Sequence, residues 1–181
     1  MQLLAGSSTV PWPVPEGLHM DGYSSRTEQN QGFRDPLMVK ALVLDDTVHK
    51  ILLVNVEAIG VELNLTRKFR KMASSRWNIP LEHIMVTATH THAGPRGIRL
   101  GVNPLDGELR GLLLETMLVA TEQAFSSIKP AETKVGTGYV AHLSQNRRNP
   151  EWPNDPRVYV VGIFDEDKAP ICILINYACH P

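Results

Sequence analysis

His90 and His92 stand two residues apart in Thr89-His90-Thr91-His92-Ala93-Gly94-Pro95, directly behind the apolar run Ile84-Met85-Val86-Thr87-Ala88. Alternate side chains of a strand share a face, so a strand continuing through this stretch projects both imidazoles to one side. Gly94, Pro95 and Gly97 then break the strand, where a strand's carboxyl end opens into a loop. Neutral imidazole nitrogens bind zinc at about 2.0–2.1 Å, and a catalytic zinc usually takes three protein ligands and keeps one position for water. Two histidines on a half-exposed strand held only by hydrogen bonds would show the same spacing, so the pair alone leaves both readings open. It also cannot finish a metal site, which needs a ligand from elsewhere.

Other residues sit where chemistry is done. His180, in Ala178-Cys179-His180-Pro181, ends a second apolar run and is again followed by proline. Glu57 closes the run Lys50-Ile51-Leu52-Leu53-Val54-Asn55-Val56. A carboxylate there reads either as a metal ligand or second-shell partner, or as a cap. Arg147 and Arg148 lie in the polar stretch Ser144-Gln145-Asn146-Arg147-Arg148-Asn149-Pro150. An arginine fork suits a carbonyl, a carboxylate or a developing oxyanion, and a plain surface loop is the other reading. His49 reads as a solvated turn residue, and His142 as a structural residue of a strand.

The elements that must position these residues follow from the pattern of the chain. Residues 1–37 read as an irregular lead-in punctuated by Pro11, Pro13 and Pro15, with a polar surface loop over 22–32. Residues 38–46 and 50–57 read as an antiparallel hairpin whose second strand is apolar enough to be central. The spacing of Leu65, Phe69, Met72 and Ala73 predicts a helix over 62–77 with a basic solvated face, ended by Asn78-Ile79-Pro80. After the histidines comes a glycine-containing loop over 96–103. A long helix should follow, starting at Pro104-Leu105-Asp106 and running to about residue 128. Its buried stripe is Leu109, Leu112, Leu113, Met117, Ala120 and Ala124. Pro130 ends it. Residues 134–143, with two glycines, predict a bent or bulged strand, and 157–164 and 170–178 are the last two strands, joined by an acidic turn. The fold class is α/β in the broad sense: a mixed, mostly antiparallel sheet flanked by helices, with the metal site at strand ends.

A chain of 181 residues, 43% hydrophobic and 20% charged, has the composition of one globular domain with a sizeable core. A net charge of −1 gives no reason to expect nucleic acid or an anionic membrane as partner. No apolar run is long enough for a membrane span, and no signal peptide is visible at the amino terminus. The expected address is therefore cytoplasmic, although a processed, secreted chain would look the same. Cys172 and Cys179 lie on one extended segment, seven residues or roughly 23 Å apart, and should not bridge.

Taken together, four segments in order resemble the neutral/alkaline (non-lysosomal) ceramidases. They are Thr89-His90-Thr91-His92-Ala93-Gly94-Pro95 (family T-H-T-H-S-G-P); Asp35-Pro36-Leu37 with Lys40-Ala41-Leu42-Val43-Leu44-Asp45; Asn146-Arg147-Arg148-Asn149-Pro150; and Ala178-Cys179-His180-Pro181. The resemblance implies a zinc amidohydrolase in which His90 and His180 bind Zn2+, with His92 and Arg148 as the active-site histidine and arginine. It implies an N-acyl lipid or small amide as substrate. It also implies that residues 1–181 are the amino-terminal part of the catalytic domain, because the family's remaining ligands, a glutamate and a tyrosine, lie further downstream. A hydrolase acting on a soluble amide or ester, or an inactive truncated metal-binding domain, are the competing readings.

Overall fold

The computed structural model describes residues 2–96 and 107–180. The glycine-containing loop after the histidines falls largely outside the described residues, as do the expected helix start at 104–106 and Pro181. The elements in chain order are β1 (Leu3–Pro11), β2 (Met38–Asp45), β3 (Lys50–Val56), α1 (Leu63–Trp77), a short 3-10 turn (Leu81–His83), β4 (Ile84–Ala88), α2 (Gly107–Ser126), β5 (Lys129–Tyr139), β6 (Arg157–Phe164) and β7 (Pro170–Tyr177). The strands form a seven-stranded sheet in the order β4-β3-β2-β1-β5-β6-β7. The β3–β4 pair, connected through α1, is parallel, and the others are antiparallel. This is the mixed, mostly antiparallel sheet that the sequence predicts.

The largest departure is at the amino terminus. Residues 3–11, expected to be irregular, form the middle strand of the sheet, with Leu4 opposite Asp45 and Pro11 opposite Met38. Leu-Leu-Ala-Gly-Ser-Ser-Thr-Val-Pro reads weakly as a strand because its centre, residues 5–8, is small, and small side chains are what its neighbours require there. Pro11 is tolerated at the strand's last position, and the Trp12 N–H carries the pairing on to the Leu37 carbonyl at 2.7 Å. Trp12 itself is buried.

Both helices cover one face of the sheet. Val39, Ala41 and Val43 of β2 and Leu52, Val54 and Val56 of β3 point to this face and pack with Leu65, Phe69 and Ala73 of α1 and Leu109, Leu113, Met117, Ala120 and Ala124 of α2. Met72, expected on the buried stripe of α1, is exposed, and Leu112 of α2 is only half-buried. Asn78 ends α1 in the left-handed conformation (φ 53°), with its N–H on the Ser74 carbonyl.

A second, smaller core lies on the opposite face, where Ala5, Leu42 and Ile163 meet Leu44, Leu53, Val161, Cys172 and Leu174. The sheet therefore rolls over, bringing β6 and β7 back across β1. The Ser7 hydroxyl donates to the Ile171 carbonyl at 2.5 Å. The β5 strand begins at Lys129, with Pro130 inside it, and ends at Tyr139, before His142. Its two glycines stay in regular register with β6, and the register shift falls instead between Ile163 and Phe164 in the β6–β7 pair. Both cysteines are free, as their spacing requires.

Among the described glycines, Gly6 is the most tightly packed. A Cβ there would lie 2.1 Å from the Ala124 carbonyl oxygen and 2.9 Å from the Ile128 nitrogen, both backbone atoms that cannot swing aside. Gly6→Ala is expected to destabilise the chain by about 1–3 kcal/mol through overpacking, read as a lower urea midpoint with an unchanged slope.

Candidate metal centre

The histidine-bearing stretch leaves its strand sooner than alternation predicts. Regular β4 stops at Ala88, and the Thr89 N–H makes one more parallel bond, to the Val56 carbonyl at 3.0 Å. His90 then takes φ 60°, a left-handed conformation uncommon for residues with a side chain and enriched where structure serves a site. A turn, not strand alternation, therefore brings the two rings side by side.

The third ring arrives from the far end of the sheet. β4 and β7 are the two edge strands, yet His180, just beyond β7, has its ring centroid 5.2 Å from His90 and 5.0 Å from His92, while His90 and His92 are 5.3 Å apart. The rolled sheet makes this possible. One ligand nitrogen from each of the three lies within 4.8 Å of the others, so the cluster could hold a metal ion.

The hydrogen bonds give the rings different readiness. His90 Nδ1 lies 2.8 Å from the Ile59 carbonyl oxygen. A carbonyl only accepts, so this nitrogen carries the proton and Nε2 keeps its lone pair, the arrangement of metal-binding histidines. His92 is buried and its Nδ1 has no hydrogen-bond partner. Burial, then the neighbouring His180 and His90, then Arg26, push the His92 pKa below its ordinary value, against a weaker opposite pull from Asp21. A pre-set Nε2 on His90 and three imidazole nitrogens gathered within 4.8 Å fit a nitrogen-binding metal ion. Its remaining ligands would have to be added to these imidazoles.

Glu57 and Arg148 make contacts of their own. The Glu57 carboxylate accepts the Met38 N–H at 2.9 Å and Lys40 Nζ at 2.5 Å, which ties the end of β3 to the start of β2. Arg148 is exposed in the loop between β5 and β6, where its backbone N–H donates to Asn146 Oδ1 at 3.1 Å. The residues that do surround His92 come from the segment expected to be a plain surface loop. Tyr23 presents itself edge-on to the His92 ring at 5.0 Å, and Arg26 donates to the His92 carbonyl at 2.7 Å. These contacts join positions 66 or more residues apart, and only the glycine of Gly22-Tyr23 in that polar stretch hints at them.

No protein-family model matches the chain. Among solved structures, the fold is similar to that of neutral ceramidase from Pseudomonas aeruginosa, with a TM-score of 0.85 and 19% identity over 97% of this chain. It is also similar to a ceramidase complexed with C2, with a TM-score of 0.83 and again 19% identity over 97% of this chain. At that identity the likeness is one of fold: the chain has the architecture of part of a neutral ceramidase. It spans 31% of the length of each of these two structures.

The His92 environment sets a pH dependence. A histidine whose folded pKa lies below its unfolded value of 6.5 takes up its proton more readily in the unfolded chain. Stability from this group is therefore complete above that pH and declines as the pH falls below it. Metal-free protein should lose stability on acidification from pH 6.5, and His92→Gln should show a shallower loss, measured by urea unfolding across that range.

Proposed function

We propose that this chain is the amino-terminal part of a zinc-dependent hydrolase that cleaves the amide bond of ceramide or a related N-acyl substrate. One observation carries the reading: in a fold like that of a neutral ceramidase, three histidines from opposite edges of the sheet present ligand nitrogens within 4.8 Å of one another. His90 and His180 would hold Zn2+, His90 with the Nε2 that its bond to Ile59 leaves unprotonated. The ion, when bound, lowers the pKa of its water and polarises the scissile carbonyl.

His92 serves as the proton carrier beside the metal. A ligand histidine is normally oriented by a hydrogen bond from its second nitrogen; His90 has one and His92 Nδ1 has none, which favours His90 over His92 as a ligand. The depressed pKa of His92 keeps it in the neutral, accepting form near pH 7. It takes a proton from the attacking water and gives it to the departing amine as the carbon–nitrogen bond breaks, leaving a carboxylic acid and an amine. Arg148 is assigned to the developing oxyanion. The glutamate and tyrosine that complete the family's metal shell would come from polypeptide beyond this chain. The substrate class follows the two solved neighbours, both ceramidases.

Zinc quantified against protein after mild dialysis tests the ligand assignment. His90→Ala and His180→Ala should weaken zinc binding more than about 100-fold, beyond the cost of losing an outer-shell partner. His92→Ala should keep the metal, and equal loss from all three would make His92 a ligand and overturn its assigned role.

In a protein carrying the complete ceramidase-like domain, His92→Ala should reduce fatty-acid release from ceramide by about 100-fold or more at full zinc content. Turnover of soluble amides or esters with none of ceramide would replace the proposed substrate.

A further inference from the structure

His92 poses a mechanical problem. It is buried, and its Nδ1 makes no hydrogen bond, so the ring lacks the anchor that His90 has in the Ile59 carbonyl. A proton carrier must nevertheless be held to within a fraction of an ångström of its working position. Something other than a hydrogen bond at Nδ1 has to hold it.

The segment 21–26 does this from three sides. Its approach is fixed by pairing with the turn after the histidines. Met20 bridges Pro95, the Asp21 N–H donates to the Gly94 carbonyl at 2.9 Å, and the Arg96 N–H donates to the His19 carbonyl at 2.7 Å. Gly22, at φ +106°, then lies so close that a Cβ on it would fall 2.4 Å from both Cβ and Cγ of His92. The Tyr23 ring meets the imidazole edge-on at 5.0 Å. The Arg26 guanidinium stacks on the Tyr23 ring at 4.8 Å and sends Nη1 to the His92 carbonyl at 2.7 Å, so one side chain braces both the aromatic contact and the backbone of His92.

We propose that Tyr23 and Arg26 are positioning residues that orient His92 through ring packing and its backbone carbonyl. This rests on the reading of His92 as the proton carrier. The device differs from that at His90, where a hydrogen bond fixes the tautomer. Tyr23 and Arg26 fix orientation without fixing a tautomer.

Diethyl pyrocarbonate labelling of the metal-free chain, quantified residue by residue by mass spectrometry, tests the brace without reference to zinc or activity. In wild type, His92 should react slowly beside the exposed His90 and His49. Arg26→Ala and Tyr23→Leu should speed His92 labelling roughly tenfold, of the order of losing an outer-shell partner, with His90 and His49 rates and the melting temperature unchanged. Arg26→Lys, which keeps a donor for the His92 carbonyl, should restore much of the protection. Unchanged His92 labelling in both variants overturns the proposal, and so does a parallel rise at His90, which would mean general loosening. Should Arg26→Ala fail to fold, Tyr23→Leu decides, because it alters only a half-exposed ring.

In the complete enzyme, Arg26→Ala should lower kcat with KM and zinc content unchanged. Loss of zinc would instead make segment 21–26 part of the metal site's support and would overturn this assignment. Zinc retention in His92→Ala tests the underlying reading separately, so the two can fail independently.

Discussion

β1 is thin on both faces, and the rest of the molecule depends on that. On one side the backbone of Gly6 lies against the Ala124 carbonyl, and the Ser8 hydroxyl donates to the Ala120 carbonyl at 2.6 Å, so α2 sits almost on the strand. On the other side, Ala5 is fully buried under Ile163 and the Ser7 hydroxyl reaches the Ile171 carbonyl. Bulky residues here would keep both layers away. Small ones let the helix seat closely and let β6 and β7 cross back over the sheet, so two cores share one central strand.

That roll decides where chemistry can occur. In a flat seven-stranded sheet, β4 and β7 would lie six strand spacings apart, at about 4.8 Å per step. Rolled, their carboxyl-terminal continuations meet, and histidines 90 positions apart in sequence have rings 5.2 Å apart. The same hydrophobic burial that stabilises the second core therefore holds the cluster together. The short side chains at its apex, and not the histidines, are what gather it.

How much of this was legible in the sequence follows from the range of each signal. The β2–β3 hairpin, α1, α2, β6 and β7 were readable because their apolar periodicity is local. His90, His92 and His180 stood out by type and by their proline-punctuated strand ends, and the structure brings all three together. β1 was missed because its residues are chosen to be covered on both faces, which removes the alternation that marks a half-exposed strand. Tyr23 and Arg26 were missed because their importance lies wholly in contacts with a segment some 66 residues away. At Glu57 the sequence left a site role and a cap both open, and its carboxylate binds Met38 N–H and Lys40.

Two histidines separated by one threonine thus occupy unlike environments, and environment is what distinguishes their chemistry. His90 is in the left-handed conformation with Nδ1 committed to a carbonyl, which fixes its proton and aims one lone pair. His92 is enclosed, carries an orphaned Nδ1 and has its pKa depressed by burial and by the other two imidazoles. The committed Nδ1 of His90 aims its Nε2 outward, whereas His92 is held by packing against Gly22 and Tyr23. The difference traces to the single residue of left-handed backbone at His90. It turns the chain out of the β4 ladder and delivers His92 beneath the loop that carries Gly22.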